Sequence, residues 1–266
     1  AVLAQVDLAE LRANGVDYPR VRELKRRLLE VAFACFEERQ ARGETARSAA
    51  FRAFVDREQA WLAEYAFFRA LMDEHGESPA WDQWPQEHRT PEQARTWLAG
   101  LPEGRRQAFE RRQRFYCYVQ WLAHTQWQEV RSEAERRGVA LMGDLPYGVA
   151  RASADVWARQ HLFDLEWCGG APPEWTFRGD PFVEKWGQNW GIPHYRWEAH
   201  RQEGFAWWRQ RVRQLTRIFH LYRVDHVLGF FRIYSFPWTP DRNDEFLWLT
   251  PDEVAARTGG RLPGFR

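Results

Sequence analysis

The chain has 266 residues, which is enough for one large domain or two small ones. Its 38 basic and 37 acidic side chains leave a formal net charge of +1. This balance argues against a nucleic-acid-binding protein, because such proteins usually carry a basic excess on one face. No apolar run is long enough to span a membrane and no signal peptide is visible, so a membrane partner is not expected.

The three cysteines are Cys35, Cys117 and Cys168, which are widely spaced and odd in number. This pattern favours a reduced, cytoplasmic protein without structural disulfides. The spacing matches no metal-ligand motif, so no metal site is predicted.

The first half of the chain is predicted to be helical. One helix begins near Asp17, with Pro19 in its first turn, and a second covers about residues 48–72. Residues 74–103 indicate short turns and a brief helix, and a third long helix covers about residues 103–137 and ends at Gly138. The apolar positions of the first helix that recur at helical spacing are Val21, Leu24, Leu28, Val31 and Phe36.

The second half of the chain has the pattern of strands joined by helices. Residues 139–144 form an apolar run that predicts a buried strand, followed by a polar loop, as in a βα unit. Residues 169–197 are rich in Gly, Pro and Trp and are predicted to be irregular, which is typical of a functional or mobile segment. Residues 203–219 predict a helix that leads into a strand at residue 221.

This last strand places a carboxylate beside an arginine. Phe219, Leu221, Arg223 and Asp225 share one face at a period of two residues. If that face is buried, the carboxylate of Asp225 needs a partner, and Arg223 is placed to provide one. An Arg-x-Asp pair by itself is most often a structural salt bridge, so it does not establish catalysis.

Longer motifs point to a family. Residues 223–226 read Arg-Val-Asp-His, residues 143–148 read Gly-Asp-Leu-Pro-Tyr-Gly, and residues 153–157 read Ser-Ala-Asp-Val-Trp. Together these strings resemble the amylomaltases, the 4-α-glucanotransferases of glycoside hydrolase family 77 in the α-amylase-like superfamily. The helical strings within residues 61–66 and 118–127, and the Gly-Gln-Asn-Trp-Gly-Ile-Pro string at residues 187–193, are also similar to the family.

The resemblance implies an α/β fold that is a portion of a (β/α)8 TIM barrel with a large α-helical insertion. Residues 1–137 would be the mainly helical insertion, and residues 138–266 the partial catalytic barrel with a substrate loop at residues 169–197. The implied activity is transfer of α-1,4-glucan segments between malto-oligosaccharides, within glycogen, starch or maltose metabolism. No cofactor is implied.

The resemblance also implies roles for individual residues. Asp225 would be the nucleophile that forms a covalent glycosyl-enzyme, and Arg223 would hold its carboxylate ionised and oriented. Asp144 would contact Arg223, either as a plain salt bridge or to position the arginine. The implied substrate-binding residues are Asp144, Tyr147, His226, Trp190, Trp175 and Gln188.

A retaining mechanism requires a second carboxyl group about 5 Å from the nucleophile, to act as acid and base. Glu245 and Glu253 follow Asp225, but neither has the expected sequence context. We therefore expect the chain to be an internal portion of a larger enzyme. Two other interpretations stay open: a non-catalytic glucan-binding protein, and a helical interaction module built on residues 1–137. The oligomeric state is not predicted.

Overall fold

The computed structural model describes residues 15–174, 176 and 179–266. Its first half is helical, as predicted. The helices there are α1 Tyr18–Ala41, α2 Ala46–Glu74, α3 Pro91–Ala99 and α4 Glu103–Arg136. None of the helices in the described ranges is both long and apolar enough to cross a membrane.

Local sequence signals account for the ends of these helices. The Asp17 carboxylate accepts a hydrogen bond from the Arg20 main-chain N–H at 3.1 Å and so caps α1. After α4, Gly138 has a φ of 67°, and the Val139 N–H donates to the Ala134 carbonyl at 2.9 Å. This left-handed glycine turn ends the helix as the sequence predicts. Two short 3₁₀ helices and α3 occupy residues 81–99, which confirms the predicted turns and brief helix.

Contacts divide the chain into two compact units. One comprises Ala1–Leu71 with Leu101–Gln126, and the other Met72–Gly100 with Trp127–Arg266. The division therefore falls within α2 and α4, whereas the sequence-based division lies at residue 137 and stays a prediction.

An aromatic core fills the first unit. Phe33 and Phe36 of α1 pack against the ring of Tyr118 at centroid distances of 5.3 and 5.0 Å. Val31, which the periodicity assigns to the apolar stripe, is 50 % exposed. Phe33 is buried instead, so the buried face of α1 is rotated from Val31 toward Phe33. The buried members of this core are Phe33, Phe36, Phe51, Phe54, Leu62, Ala66, Phe115, Tyr116, Tyr118 and Trp121.

The second unit contains all the strands of the described residues, in two sheets. The strands are β1 Met142–Leu145, β2 Phe163–Ala171, β3 Gln188–Tyr195, β4 Leu221–Val224, β5 Tyr234–Phe236 and β6 Gly264–Phe265. Strands β1 and β4 pair in parallel, and the other four form an antiparallel sheet in the order β3-β2-β5-β6. The remaining helices are α5 Ala154–Ala158, α6 Pro181–Trp186, α7 Trp197–Gln202, α8 Ala206–Ile218, α9 Asn243–Phe246 and α10 Pro251–Thr258.

The prediction of an irregular segment at residues 169–197 is wrong over most of its length. It contains the end of β2, the helix α6 and all of β3. A Cβ atom on Gly170 would overlap the Gln188 carbonyl, so glycine here permits close strand pairing rather than marking a loop. Pro193 is tolerated because β3 lies at the edge of its sheet.

The prediction of a buried strand at residues 139–144 holds for one face only: β1 covers residues 142–145, where Gly143 and Leu145 are buried and Met142 and Asp144 are exposed. Met142 is 68 % exposed and Leu221 is 57 % exposed, and every residue of β4 is exposed. Among the described residues this sheet has only two strands, so most of its surface has no covering layer. Helix α8 ends at Ile218, directly before β4, as predicted for a helix that leads into the strand.

Candidate active site

One guanidinium group joins two carboxylates at the parallel pair of strands. The register places Asp144 of β1 opposite Arg223 of β4. Arg223 donates to Asp144 through Nε to Oδ1 at 2.9 Å and through Nη2 to Oδ2 at 2.7 Å. Its Nη2 also donates to Oδ1 of Asp225 at 3.1 Å. The structure therefore brings together three of the predicted site residues.

The charges of Arg223 and Asp144 are affected most by the two hydrogen bonds between these residues. Hydrogen bonding by Arg223 holds the pKa of Asp144 below its usual value, and the same bond raises the pKa of Arg223. The side chains of Arg223, Asp144 and Asp225 are 61, 49 and 46 % exposed, so the charged face of β4 is not buried. Because water screens these charges, the two hydrogen bonds from Arg223 orient the Asp144 carboxylate more than they stabilise the folded state.

Main-chain and packing contacts hold the register of this pair. The Asp225 N–H donates to the Leu145 carbonyl at 3.0 Å, just beyond the last strand pair. At Gly143, a Cβ atom would overlap the ring of Phe219, so the absence of a side chain lets that ring lie against β1. These contacts place the carboxyl ends of the two strands side by side.

His226 extends the site toward Trp190. His226 has φ 45° and ψ 50°, a left-handed conformation that is uncommon for a residue with a side chain. Its ring meets Trp190 edge to face at a centroid distance of 5.0 Å. The Trp190 Nε1 donates to the Gln188 side chain at 2.9 Å, and the indole is 39 % exposed. His226, Trp190 and Gln188 therefore form one contiguous set next to Asp225.

Two predicted residues are placed differently. Tyr147 is 3 % exposed, and its ring packs edge to face against Tyr195 and Phe230 at centroid distances of 5.3 and 5.2 Å. Burial raises the pKa of Tyr147 to about 12, and its main-chain carbonyl accepts a hydrogen bond from the Tyr195 hydroxyl. Trp175 lies outside the described residues.

Asn189 and Gly191, which belong to the string at residues 187–193 but were given no role there, hold the chain around Trp190 in place. The Asn189 side chain donates to the Trp238 carbonyl at 3.0 Å and accepts from the Gly191 N–H at 3.2 Å. Gly191 has a φ of 70°, and a Cβ atom there would lie 2.8 Å from Cγ of Pro240. The Asn-Trp-Gly string is a turn signal that could have identified them.

A serine and a histidine, Ser235 and His194, lie together in the antiparallel sheet, a pairing that can activate a serine nucleophile. Ser235 is fully buried, its Oγ donates to the Ile233 carbonyl at 2.9 Å, and it lies 2.9 Å from Nε2 of His194. Because the hydroxyl proton is used on the carbonyl, His194 must donate to the serine. Burial lowers the pKa of His194. The serine is therefore not activated as a nucleophile, and the pair is structural.

The described residues contain no cluster of three or more His, Cys, Asp or Glu side chains that could hold a metal ion. The site offers an oriented carboxylate with an adjacent guanidinium and an aromatic surface.

Comparisons with known proteins agree on one family. The family model described as 4-alpha-glucanotransferase, glycoside hydrolase family 77, matches residues 1–256. The 4-alpha-glucanotransferase of Thermus thermophilus is 36 % identical over 240 residues, which are 88 % of this chain and 45 % of that protein. The Aquifex aeolicus 4-alpha-glucanotransferase is 31 % identical over 255 residues, 93 % of this chain and 47 % of that protein.

A solved structure gives the same result. The amylomaltase from Streptococcus agalactiae in complex with acarbose superposes with a TM-score of 0.68 at 25 % identity, over 93 % of this chain and 48 % of that chain. The chain spans about half the length of the curated relatives it matches. As the motifs around Asp144 and Asp225 predict, the chain belongs to the 4-alpha-glucanotransferase family.

Proposed function

We propose that the protein acts as a 4-α-glucanotransferase, moving α-1,4-glucan segments between malto-oligosaccharides through a covalent glycosyl-enzyme. The observation that carries this proposal is the single guanidinium of Arg223, which bonds both Asp144 and Asp225 at the adjacent ends of two parallel strands. In a (β/α)8 barrel, catalytic residues lie at these carboxyl ends. We accordingly propose that β1 and β4 are neighbouring strands of such a barrel and that residues 1–137 are its helical insertion.

Asp225 is the proposed nucleophile. Arg223 contacts Oδ1 of Asp225, which leaves Oδ2 to approach the anomeric carbon of the glucan. Attack forms the bond from Oδ2 to that carbon while the glycosidic bond breaks, and the leaving glycan takes a proton from a carboxylic acid. A sugar 4-hydroxyl then attacks the anomeric carbon and gives its proton to that carboxylate, the bond from Oδ2 of Asp225 breaks, and an α-1,4 bond is restored.

Asp144 does not suit the role of the acid. Its two bonds to Arg223 hold its pKa low, so it stays ionised and anchors the arginine. Glu245 forms a fork with Arg242, and Glu253 caps α10; hydrogen bonding lowers the pKa of each. We propose that the acid is a carboxyl group other than those of Asp144, Glu245 and Glu253.

Aromatic side chains suit the apolar faces of glucose. Trp190 beside His226 is the proposed platform at the active site. Gln188 accepts a hydrogen bond from its indole, and Tyr147 packs against His226 at a centroid distance of 5.8 Å. Trp175 is proposed for the acceptor sugar. The acarbose bound by the Streptococcus agalactiae amylomaltase supports an oligosaccharide substrate. We further propose a cytoplasmic location, since all three cysteines are unpaired.

The test is the Asp225→Asn variant of the complete gene product, assayed by disproportionation of maltotriose. Asparagine keeps the shape but cannot form the glycosyl ester, so we expect transfer to fall by about three decades or more while the melting temperature is retained. Asp82→Asn is the matched control, because Asp82 is another exposed carboxylate beside an arginine, Arg151, at 3.4 Å. Transfer by Asp225→Asn within tenfold of the parent would refute the nucleophile.

A further inference from the structure

A ring of hydrogen bonds joins the segments that precede β1 and β4. The Leu141 N–H donates to Nδ1 of His220 at 3.0 Å, and the His220 N–H donates to the Leu141 carbonyl at 2.9 Å. The Leu221 N–H donates to the same carbonyl at 3.2 Å. An imidazole therefore occupies the place of one more main-chain acceptor, directly ahead of the strand pair.

These hydrogen bonds also determine which nitrogen of His220 carries the proton. Because Nδ1 accepts from Leu141, the proton of the neutral imidazole must be on Nε2. Nε2 lies 3.0 Å from Oε1 of Glu135, near the end of α4. Arg131 donates to the same oxygen through Nε at 2.9 Å. The hydrogen bonds from His220 and Arg131 hold the pKa of Glu135 below its usual value, so the carboxylate is a constant acceptor for Nε2.

The end of α8 is held by the same network. Nη1 of Arg131 donates to the carbonyls of Thr216 and Phe219, each at 3.0 Å. The Gln128 side chain donates to the Arg217 carbonyl at 2.9 Å. Side chains of α4 therefore fix the main chain on the approach to β4, and His220 links that chain to β1.

The register that follows decides the geometry of the site. With His220 bound to Leu141, the pairing continues to Asp144 opposite Arg223. A slip of one residue would bring Tyr222 or Val224 opposite Asp144 and turn the Arg223 side chain to the other face. Both Asp144 and Arg223 are exposed, so burial of their side chains does not oppose such a slip.

We propose that His220 is a positioning residue whose Nδ1, kept as an acceptor by the bond of Nε2 to Glu135, binds the Leu141 N–H and so sets the register of β1 against β4 and thereby the pairing of Asp144 with Arg223. The link to catalysis rests on the proposed function, whereas the register itself does not. His220 touches none of the reacting groups, and it acts through the main chain of Leu141.

Substitution of His220 by asparagine or by glutamine tests the hydrogen bonds of its two ring nitrogens separately. In His220→Asn, Oδ1 takes the place of Nδ1 and can still accept from the Leu141 N–H, but the bond to Glu135 is lost. In His220→Gln, the amide reaches the place of Nε2 and can still donate to Glu135, but the Leu141 N–H loses its acceptor. His161→Gln is the matched control, since Nε2 of His161 makes a similar bond to Glu203 at 2.6 Å.

The readouts are hydrogen exchange of the Arg223 Nε–H by NMR, which reports its bond to Asp144, and kcat and KM for maltotriose in the complete gene product. For His220→Gln we expect exchange to speed up about tenfold or more and kcat to fall by a similar factor with KM nearly unchanged. For His220→Asn and His161→Gln we expect both quantities to stay within about threefold of the parent.

Unchanged Arg223 exchange in His220→Gln would overturn the proposal, as would equal impairment of the Asn and Gln variants. The ¹⁵N spectrum of the parent decides independently of folding in any variant: a proton on Nδ1 of His220 contradicts the inference. If the parent lacks transfer activity, the proposed function fails, while the exchange and tautomer measurements still decide the role of His220 in register.

Discussion

Arg223 binds its two carboxylates unequally. It bonds both oxygens of Asp144 but only one oxygen of Asp225. Asp144 therefore fixes the plane of the guanidinium, and the guanidinium in turn orients Asp225. This division of roles explains why two aspartates at one site need not share one function.

The Arg223→Lys variant tests the anchoring of Asp144. Lysine keeps the charge but loses the planar fork, and the hydrogen bond is the largest cause of the lowered pKa of Asp144. We expect the pKa of Asp144 to rise toward its usual value, as measured by an NMR titration of its carboxyl carbon. Arg201→Lys is the control, since Arg201 forms a similar fork with Glu198 at 3.0 Å for both bonds.

The sign of the linked stability follows from this shift. A carboxyl group whose pKa is lower in the folded state adds stability above its unfolded pKa, and that stability is lost as the pH falls through the folded pKa. The parent should therefore lose this contribution as the pH falls from the unfolded pKa of the carboxyl group through its lowered folded pKa, and Arg223→Lys should have less of it to lose. An unchanged titration of Asp144 in Arg223→Lys would contradict the anchoring role.

At the scale of elements, glycines determine how closely the strands of the second unit approach. Gly170 permits β2 to lie against β3, and Gly143 permits the Phe219 ring to lie against β1. In both cases glycine lowers the strand propensity of the sequence, but its missing side chain allows the neighbouring segment to approach. This is the reason that residues 169–197 have the composition of a loop but contain strands.

The Gly143→Ala variant tests this packing. A Cβ atom there would lie 2.6 Å from Cε2 of Phe219, so the ring or the strand must move. We expect a loss of roughly 1–3 kcal/mol in the free energy of unfolding, measured with denaturant. The control is Gly264→Ala in β6, where a Cβ atom would meet nothing within 4 Å. Equal stability of the two variants would show that the Phe219 ring does not constrain β1.

At the scale of the whole molecule, residues 72–100 are bound to the chain that follows β1. Nε1 of Trp81 donates to the Arg151 carbonyl at 2.8 Å, and Nε1 of Trp157 donates to the His88 carbonyl at 2.9 Å. The Gln160 side chain donates to the Arg89 carbonyl at 2.7 Å. A helical module that ends at residue 137 would lose these partners.

In a fragment of residues 1–137, residues 81–99 should therefore be less ordered than the aromatic core of α1, α2 and α4. We expect the amides of residues 81–99 to exchange much faster in the fragment than in the full chain, because three bonds from residues 151–160 are missing. The amides of the aromatic core around Phe33 and Tyr118 should stay protected, and they serve as the internal control. Equal protection of both regions would favour the interpretation that residues 1–137 fold as an independent module.

The sequence by itself determined the features that are encoded within a few residues of one another. The cap at Asp17, the glycine turn at Gly138 and the limits of α2 and α4 follow from local signals, and the structure confirms them. The motifs at residues 143–148 and 223–226 also identified the family and the pairing of Asp144 with Arg223, because the resemblance supplies the contact that spacing alone leaves open.

Only the tertiary structure decided which residues are covered and which distant segments pair. The exposure of Arg223 depends on how many strands lie beside β4, and the pairing of Leu141 with His220 joins residues 79 positions apart. Hydrogen bonds and burial across such separations depend on the whole arrangement of the chain and not on periodicity within one element. For this reason neither the strands within residues 169–197 nor the contact of His220 with Glu135 was predicted.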